Sequence, residues 1–115
     1  MNEIKPYTYV LVREDIPLEQ QLVQACHVAL EAGFAFEAPS RTSSLIVCTV
    51  PDQMMLEAAR IRLARYDIRT QMFFEPDWNM GHSALATEPI FERKKRFAMK
   101  AYPLFRANPR AALIS

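Results

Sequence analysis

An apolar run, residues 9–12 (YVLV), meets the charged corner Arg13-Glu14-Asp15, and Pro17 then opens a helical pattern reaching Gly33. Gln20, Gln24 and His27 follow one another at steps of four and three, so they share one face of that helix. A strand that feeds a helix through so short a corner opens an α/β unit. In open α/β sheets ligands bind in the crevice beyond the carboxyl ends of strands. The corner is therefore the candidate site, with the polar helix face as its wall.

The remaining elements follow the same alternation. Residues 8–13 read as a strand, rich in β-branched and aromatic side chains. Asp15 is the expected N-cap of the first helix, with Pro17 in its first turn. Leu18, Leu22, Cys26, Ala29 and Leu30 form the expected buried stripe, with Val23 at its border and Gly33 as the stop. Residues 44–50 (SLIVCTV) are apolar on both faces, which predicts a central strand covered by helices on each side. Asp52 caps a second helix, with Leu56, Ala59, Leu63 and Tyr66 inward and Arg60, Arg62 and Arg65 mostly outward. Residues 68–75 form a third strand, ended by Pro76. The loop 77–82 leads to a short strand, 83–87. Glu88-Pro89 starts a last helix that Pro103 breaks, and 108–115 is expected to be a mobile or weakly docked tail. This order predicts an α/β domain with mostly parallel pairing, and 115 residues suffice for one core.

No apolar run approaches the roughly 18 residues of a membrane span. The N-terminus shows no hydrophobic signal segment, so a cytoplasmic location is expected. Cys26 and Cys48 lie in apolar surroundings and read as buried free thiols. Two Cys and two His scattered over the chain predict no metal site. The net charge of +1 is uneven: from Phe91 onward seven Lys/Arg face one acid, Glu92, a local +6 that leaves −5 on the first ninety residues. Such a tail suits an anionic partner, nucleic acid first, and equally suits a solvated face that pairs with the acidic body.

No P-loop, GxGxxG turn, GxSxG elbow or HExxH pair is present, and the glycines are Gly33 and Gly81 alone. The chemistry-bearing residues come from three places: Asp15 after the first strand; Gln20, Gln24 and His27 on the first helix; and Asp77, His82 and Ser83 in or beside the last loop. Each has a plainer reading. Asp15 serves as a cap, the glutamines as surface residues, His27 as a core histidine, Asp77 as a turn residue and Trp78 as a lid. Their joint placement is what points to function.

The segment VREDI…QACHVAL resembles the opening of the type 2 (archaeal and eukaryotic type) peptidyl-tRNA hydrolases, in which a strand ending V-R-x-D-L precedes a helix with G-K-x-A-A-Q-x-x-H-A. Arg13, Asp15, Gln24, His27 and Ala29 stand in similar company, with the turn two residues shorter. VPDQMMLEAARIRLARYDI is similar to the family's V-x-D-x-x-x-L helix, and FFEPD with SALATEP to its D-A-G-x-T…T-V-L-x-I-G-P ending. The likeness spans about residues 8–89. It departs from the family at Gln20, where the family has lysine, and at Gly81, where it has threonine. Asp77 keeps the family aspartate and Ser83 keeps a hydroxyl, while the loop carries Trp78 and His82.

The resemblance implies a single α/β domain over 1–90, a mixed four-stranded sheet flanked by helices on both faces, followed by an extra C-terminal basic helix and tail, 91–115. It implies hydrolysis of the ester of peptidyl- or aminoacyl-tRNA, without metal or cofactor. Asp77, Gln20, Ser83 and His27 would be catalytic, and Asp15, Gln24, Arg13, Trp78 and His82 would bind substrate. The partner it implies is tRNA, whose phosphates would meet Arg13, Arg69 and the basic tail. No membrane partner is implied, and a homodimer is compatible. Because the lysine and threonine are replaced, a catalytically impaired RNA- or protein-binding module is the alternative, and a hydrolase of another small ester or amide a third reading.

Overall fold

The computed structural model describes residues 4–106, so the tail expected at 108–115 lies outside the described residues. The elements run β1 (Tyr7–Arg13), α1 (Leu18–Ala35), β2 (Ser44–Val50), α2 (Gln53–Arg65), β3 (Thr70–Glu75), β4 (Gly81–Thr87) and α3 (Arg93–Ala98), with 3-10 turns at Asp77–Asn79 and Met99–Ala101. The four strands make one mixed sheet in the order β2-β1-β4-β3. β1 and β2 are parallel, and β4 is antiparallel to both its neighbours. β1 and β3 therefore run the same way, and the corner after β1 meets the loop after β3 at the carboxyl ends of these strands.

Strand alternation splits the core into two layers. Tyr9 and Leu11 join Leu56, Ala59, Leu63 and Leu85 under α2, whereas Val10 and Val12 join Val28, Ala32, Ala84 and Ala86 under α1. Helices thus cover both faces of the sheet. Asp52 caps α2 as expected, its Oδ1 accepting from the Met55 N–H at 2.9 Å. Tyr66, expected inside, is exposed. Arg62, expected outside, turns in and donates to the Ala98 carbonyl at 2.9 Å and the Tyr102 hydroxyl at 3.3 Å.

The first helix sits rotated from the expected stripe. Its buried residues are Gln21, Gln24, Val28 and Ala32, while Leu18, Leu22, Val23 and Leu30 are exposed, Leu22 by 65 %. Cys26, expected buried, is exposed too; Cys48 is buried as expected. The cause is polar. Gln21 Nε2 donates to the carbonyls of Glu14 (3.3 Å) and Ile16 (2.8 Å), and Gln24 finds partners on β3 and β4, so both amides are satisfied with this face inward. The displaced apolar residues Leu22 and Cys26 instead line an open groove of about 340 Å³ with Leu45, Val47 and Phe105. Asp15 is not the cap: α1 starts after Pro17 with no side-chain cap, and both Asp15 oxygens are held by Arg13. Gly33 does not stop the helix either, which continues to Ala35 and ends at extended Phe36.

Two further expectations change. β2 is an edge strand, not a central one; its free side is covered by residues 103–105 through Thr49 N–H to the Pro103 carbonyl (3.0 Å) and Phe105 N–H to the Val47 carbonyl (2.8 Å). A continuous apolar run marks burial on two faces and says nothing of the edges. The last helix begins at Arg93, not at Glu88, because Ile90 exchanges both backbone hydrogen bonds with Tyr7 (2.9 and 2.7 Å). Among the described residues no helix is long and apolar enough to cross a membrane.

Candidate active site

The residues that converge do so around a β-bulge. Phe73 pairs with Ala84 and Phe74 with His82, leaving Ser83 as an extra residue in β4. Strict alternation would turn Ser83 toward α2; the bulge turns it under α1. There its Oγ donates to Gln24 Oε1 at 2.5 Å, with both residues fully buried. Gln24 Nε2 donates to Glu75 Oε1 at 3.0 Å and to Gln20 Oε1 at 3.4 Å. An ionised carboxylate only accepts, so Glu75 fixes which end of the Gln24 amide faces it. That choice fixes the Ser83 hydroxyl as donor and leaves Gln20 with its Nε2 turned away from the relay. A buried glutamine beside a buried serine is thereby satisfied, and the outermost amide is oriented by the chain of bonds behind it.

A second assembly holds the neighbouring loop. The guanidinium of Arg13, 12 % exposed, forms a two-pronged pair with Asp15 (2.8 and 2.9 Å). Its Nη1 reaches the carbonyls of Met80 (2.6 Å) and His82 (3.1 Å) and Gln53 Oε1 (3.3 Å). The hydrogen bond from Arg13, with its charge, holds the Asp15 carboxyl below its ordinary value. Arg13 so ties the end of β1 to the loop 77–80. In that loop Trp78 and Asn79 adopt left-handed backbone (φ 56 and 52), and Gly81 follows at φ 75. Each non-glycine residue there costs on the order of 1 kcal/mol. The strain presents Trp78 to solvent, 70 % exposed, beside the exposed Asp77.

The sequence-predicted residues divide accordingly. Gln20, Gln24 and Ser83 meet in the relay, and Asp77 lies two residues beyond Glu75, which terminates it. Arg13 and Asp15 act on each other and on the loop. His27 lies flat against Phe73, with ring centroids 3.8 Å apart, and its Nε2 is 3.9 Å from Glu31 Oε1, outside the relay. His82 is on the opposite sheet face, where its Nδ1 is 3.0 Å from Glu57 Oε1 and its ring meets Phe74 edge-on. Arg69 is largely exposed, paired with Glu88 at 3.2 Å and stacked over Phe36. Glu75 was not among the predicted residues. The signal for it was its alternation with Phe73 on β3, which puts it on the same face as the glutamines. Among the described residues no three His, Cys, Asp or Glu side chains gather as a metal ligand set.

Compared with known proteins, the chain matches no family model and no curated relative.

Proposed function

We propose that the chain hydrolyses the ester joining a peptide or amino acid to tRNA, as a type 2 peptidyl-tRNA hydrolase-like enzyme. The observation that carries this reading is the relay Ser83–Gln24–Gln20, which orients the Gln20 amide and is anchored on Glu75, two residues before Asp77 in the chain. Asp77 accepts a proton from water as the water oxygen adds to the ester carbonyl. The developing oxyanion takes an N–H from Gln20. The carbon–oxygen bond to the ribose then breaks, and the departing ribose oxygen takes the proton back from Asp77. Ser83, fully buried with its proton committed to Gln24, is a positioning residue. Trp78 offers a face for a terminal base or sugar. A neutral amide at position 20 stabilises an oxyanion less than a lysine ammonium, so turnover is slow. The reading carries a cytoplasmic location with it.

The test is release of the blocked amino acid from N-acetyl-aminoacyl-tRNA. Asp77→Ala and Gln20→Ala are each expected to lower the rate on the order of a hundredfold. Full activity in Asp77→Ala would refute the assignment of the base. A folded chain that binds tRNA without turnover would favour the second reading, a tRNA-binding module. The exposed, strained Trp78 supports that reading independently of any catalysis.

A further inference from the structure

A cleft of about 990 Å³ opens on the α2 side of the sheet, between the first two strands and the segment 93–104. Arg93, Arg96 and Lys100 line it together with Phe97 and Tyr102, and no carboxylate does. Of the basic residues on this segment, Lys95 has an acidic partner, Glu92 at 3.5 Å; Arg93, Arg96 and Lys100 pair with no carboxylate among the described residues. The Arg96 guanidinium lies 3.5 Å from the centroid of the Tyr7 ring, and its Nε is buried without an acceptor. Lys100 stands 5.3 Å from the ring centroid of Phe97, which is itself 69 % exposed.

Arginine meets phosphate oxygens through paired, charge-assisted hydrogen bonds, and none of the three cations lining the cleft has a carboxylate partner among the described residues. Cations alternating with an exposed aromatic ring also match how proteins hold single-stranded nucleic acid, charge on the backbone and rings on the bases. The geometry points to a phosphate-binding cleft that holds a nucleotide unit of single-stranded RNA through Arg93, Arg96 and Lys100, apart from the relay of Gln20, Gln24 and Ser83. The inference rests on the tRNA-directed reading for the identity of the polymer and on the cleft alone for the phosphate.

The experiment is fluorescence anisotropy with a labelled single-stranded RNA of about a dozen nucleotides, using the full chain across a salt series. Arg93→Glu and Lys100→Glu are each expected to weaken binding at least tenfold. Each should also flatten the salt dependence, by ~0.7 in log–log slope per lost phosphate contact. Lys94→Glu makes the same charge change beside Arg93, but Lys94 does not line the cleft; it should change affinity less than threefold. Equal weakening by Lys94→Glu and Arg93→Glu, or no binding at the lowest salt, overturns the proposal. Displacement of the RNA by AMP would identify a free nucleotide as the occupant of the same phosphate site, and failure to displace it the polymer. Asp77→Ala should leave this binding unchanged. Loss of hydrolysis with retained Arg93-dependent binding thus fails only the catalytic reading, and hydrolysis that survives without Arg93-dependent binding fails only the cleft.

Discussion

Ser83 donates its hydroxyl proton to Gln24 inside a fully buried contact, and each residue is the partner the other requires. Ser83→Ala leaves the Gln24 oxygen dry and without a donor, which costs about 1–3 kcal/mol. The urea midpoint of Ser83→Ala should fall accordingly, while Gln24→Leu, which also removes the donor to Glu75, should cost less in the Ser83→Ala background than in the native chain. Fully additive losses would contradict the pairing.

Asp15 links stability to acid. Its carboxyl is held below its ordinary value of 3.8 first by the hydrogen bond from Arg13. A depressed folded-state value adds stability that is present above the unfolded value and lost as pH falls through the folded one. The pair is partly exposed, so the contribution is below about 1 kcal/mol. Asp15→Asn should be slightly less stable than the native chain at pH 7, with the gap closing below about pH 4. A gap that persists at pH 2 would mean the asparagine disturbs the loop by another route.

The loop that follows β3 stores strain. Asn79→Gly removes one left-handed penalty and should raise stability by about 1 kcal/mol in thermal unfolding. Gly81→Ala should act in the opposite direction, because φ is 75, a left-handed backbone that alanine adopts only with strain. Unchanged stability in both would mean the loop relaxes freely.

The rotated first helix makes opposite predictions for two residues of one element. Val28→Ala, fully buried, should cost about 1–3 kcal/mol, whereas Leu22→Ala should stay within about 0.5 kcal/mol. Equal losses would restore the leucine stripe to the core.

The thiols should separate cleanly. Cys26 is exposed, and burial raises the Cys48 thiol above its ordinary value. A thiol reagent should modify one cysteine per folded chain quickly, and Cys26→Ser should abolish that phase. A fast phase that survives the substitution would show Cys48 to be accessible.

The strands and helices were largely readable in the chain, because each carries its own period and its own punctuation, as Asp52 and Pro76 do. What escaped was orientation. Counting apolar residues on the first helix selects Leu18, Leu22 and Cys26, but helix rotation is decided by where Gln21 and Gln24 can satisfy their amides, and those partners come from distant strands. The bulge at Ser83 depends on pairing between β3 and β4, which no local pattern encodes. His27 and Gln24 share a helix face by spacing, yet one packs on a ring and the other joins the relay. Spacing fixes which residues are neighbours along one element and leaves open what the sheet presents to them.

The cover on the free edge of β2 has a bearing on how the chain matures as it is made. All four strands leave the ribosome before Pro103, Leu104 and Phe105, and an uncovered strand edge is a template for pairing with another chain. During that interval a nascent sheet carries one adhesive side, and residues 103–105 are the ones that close it.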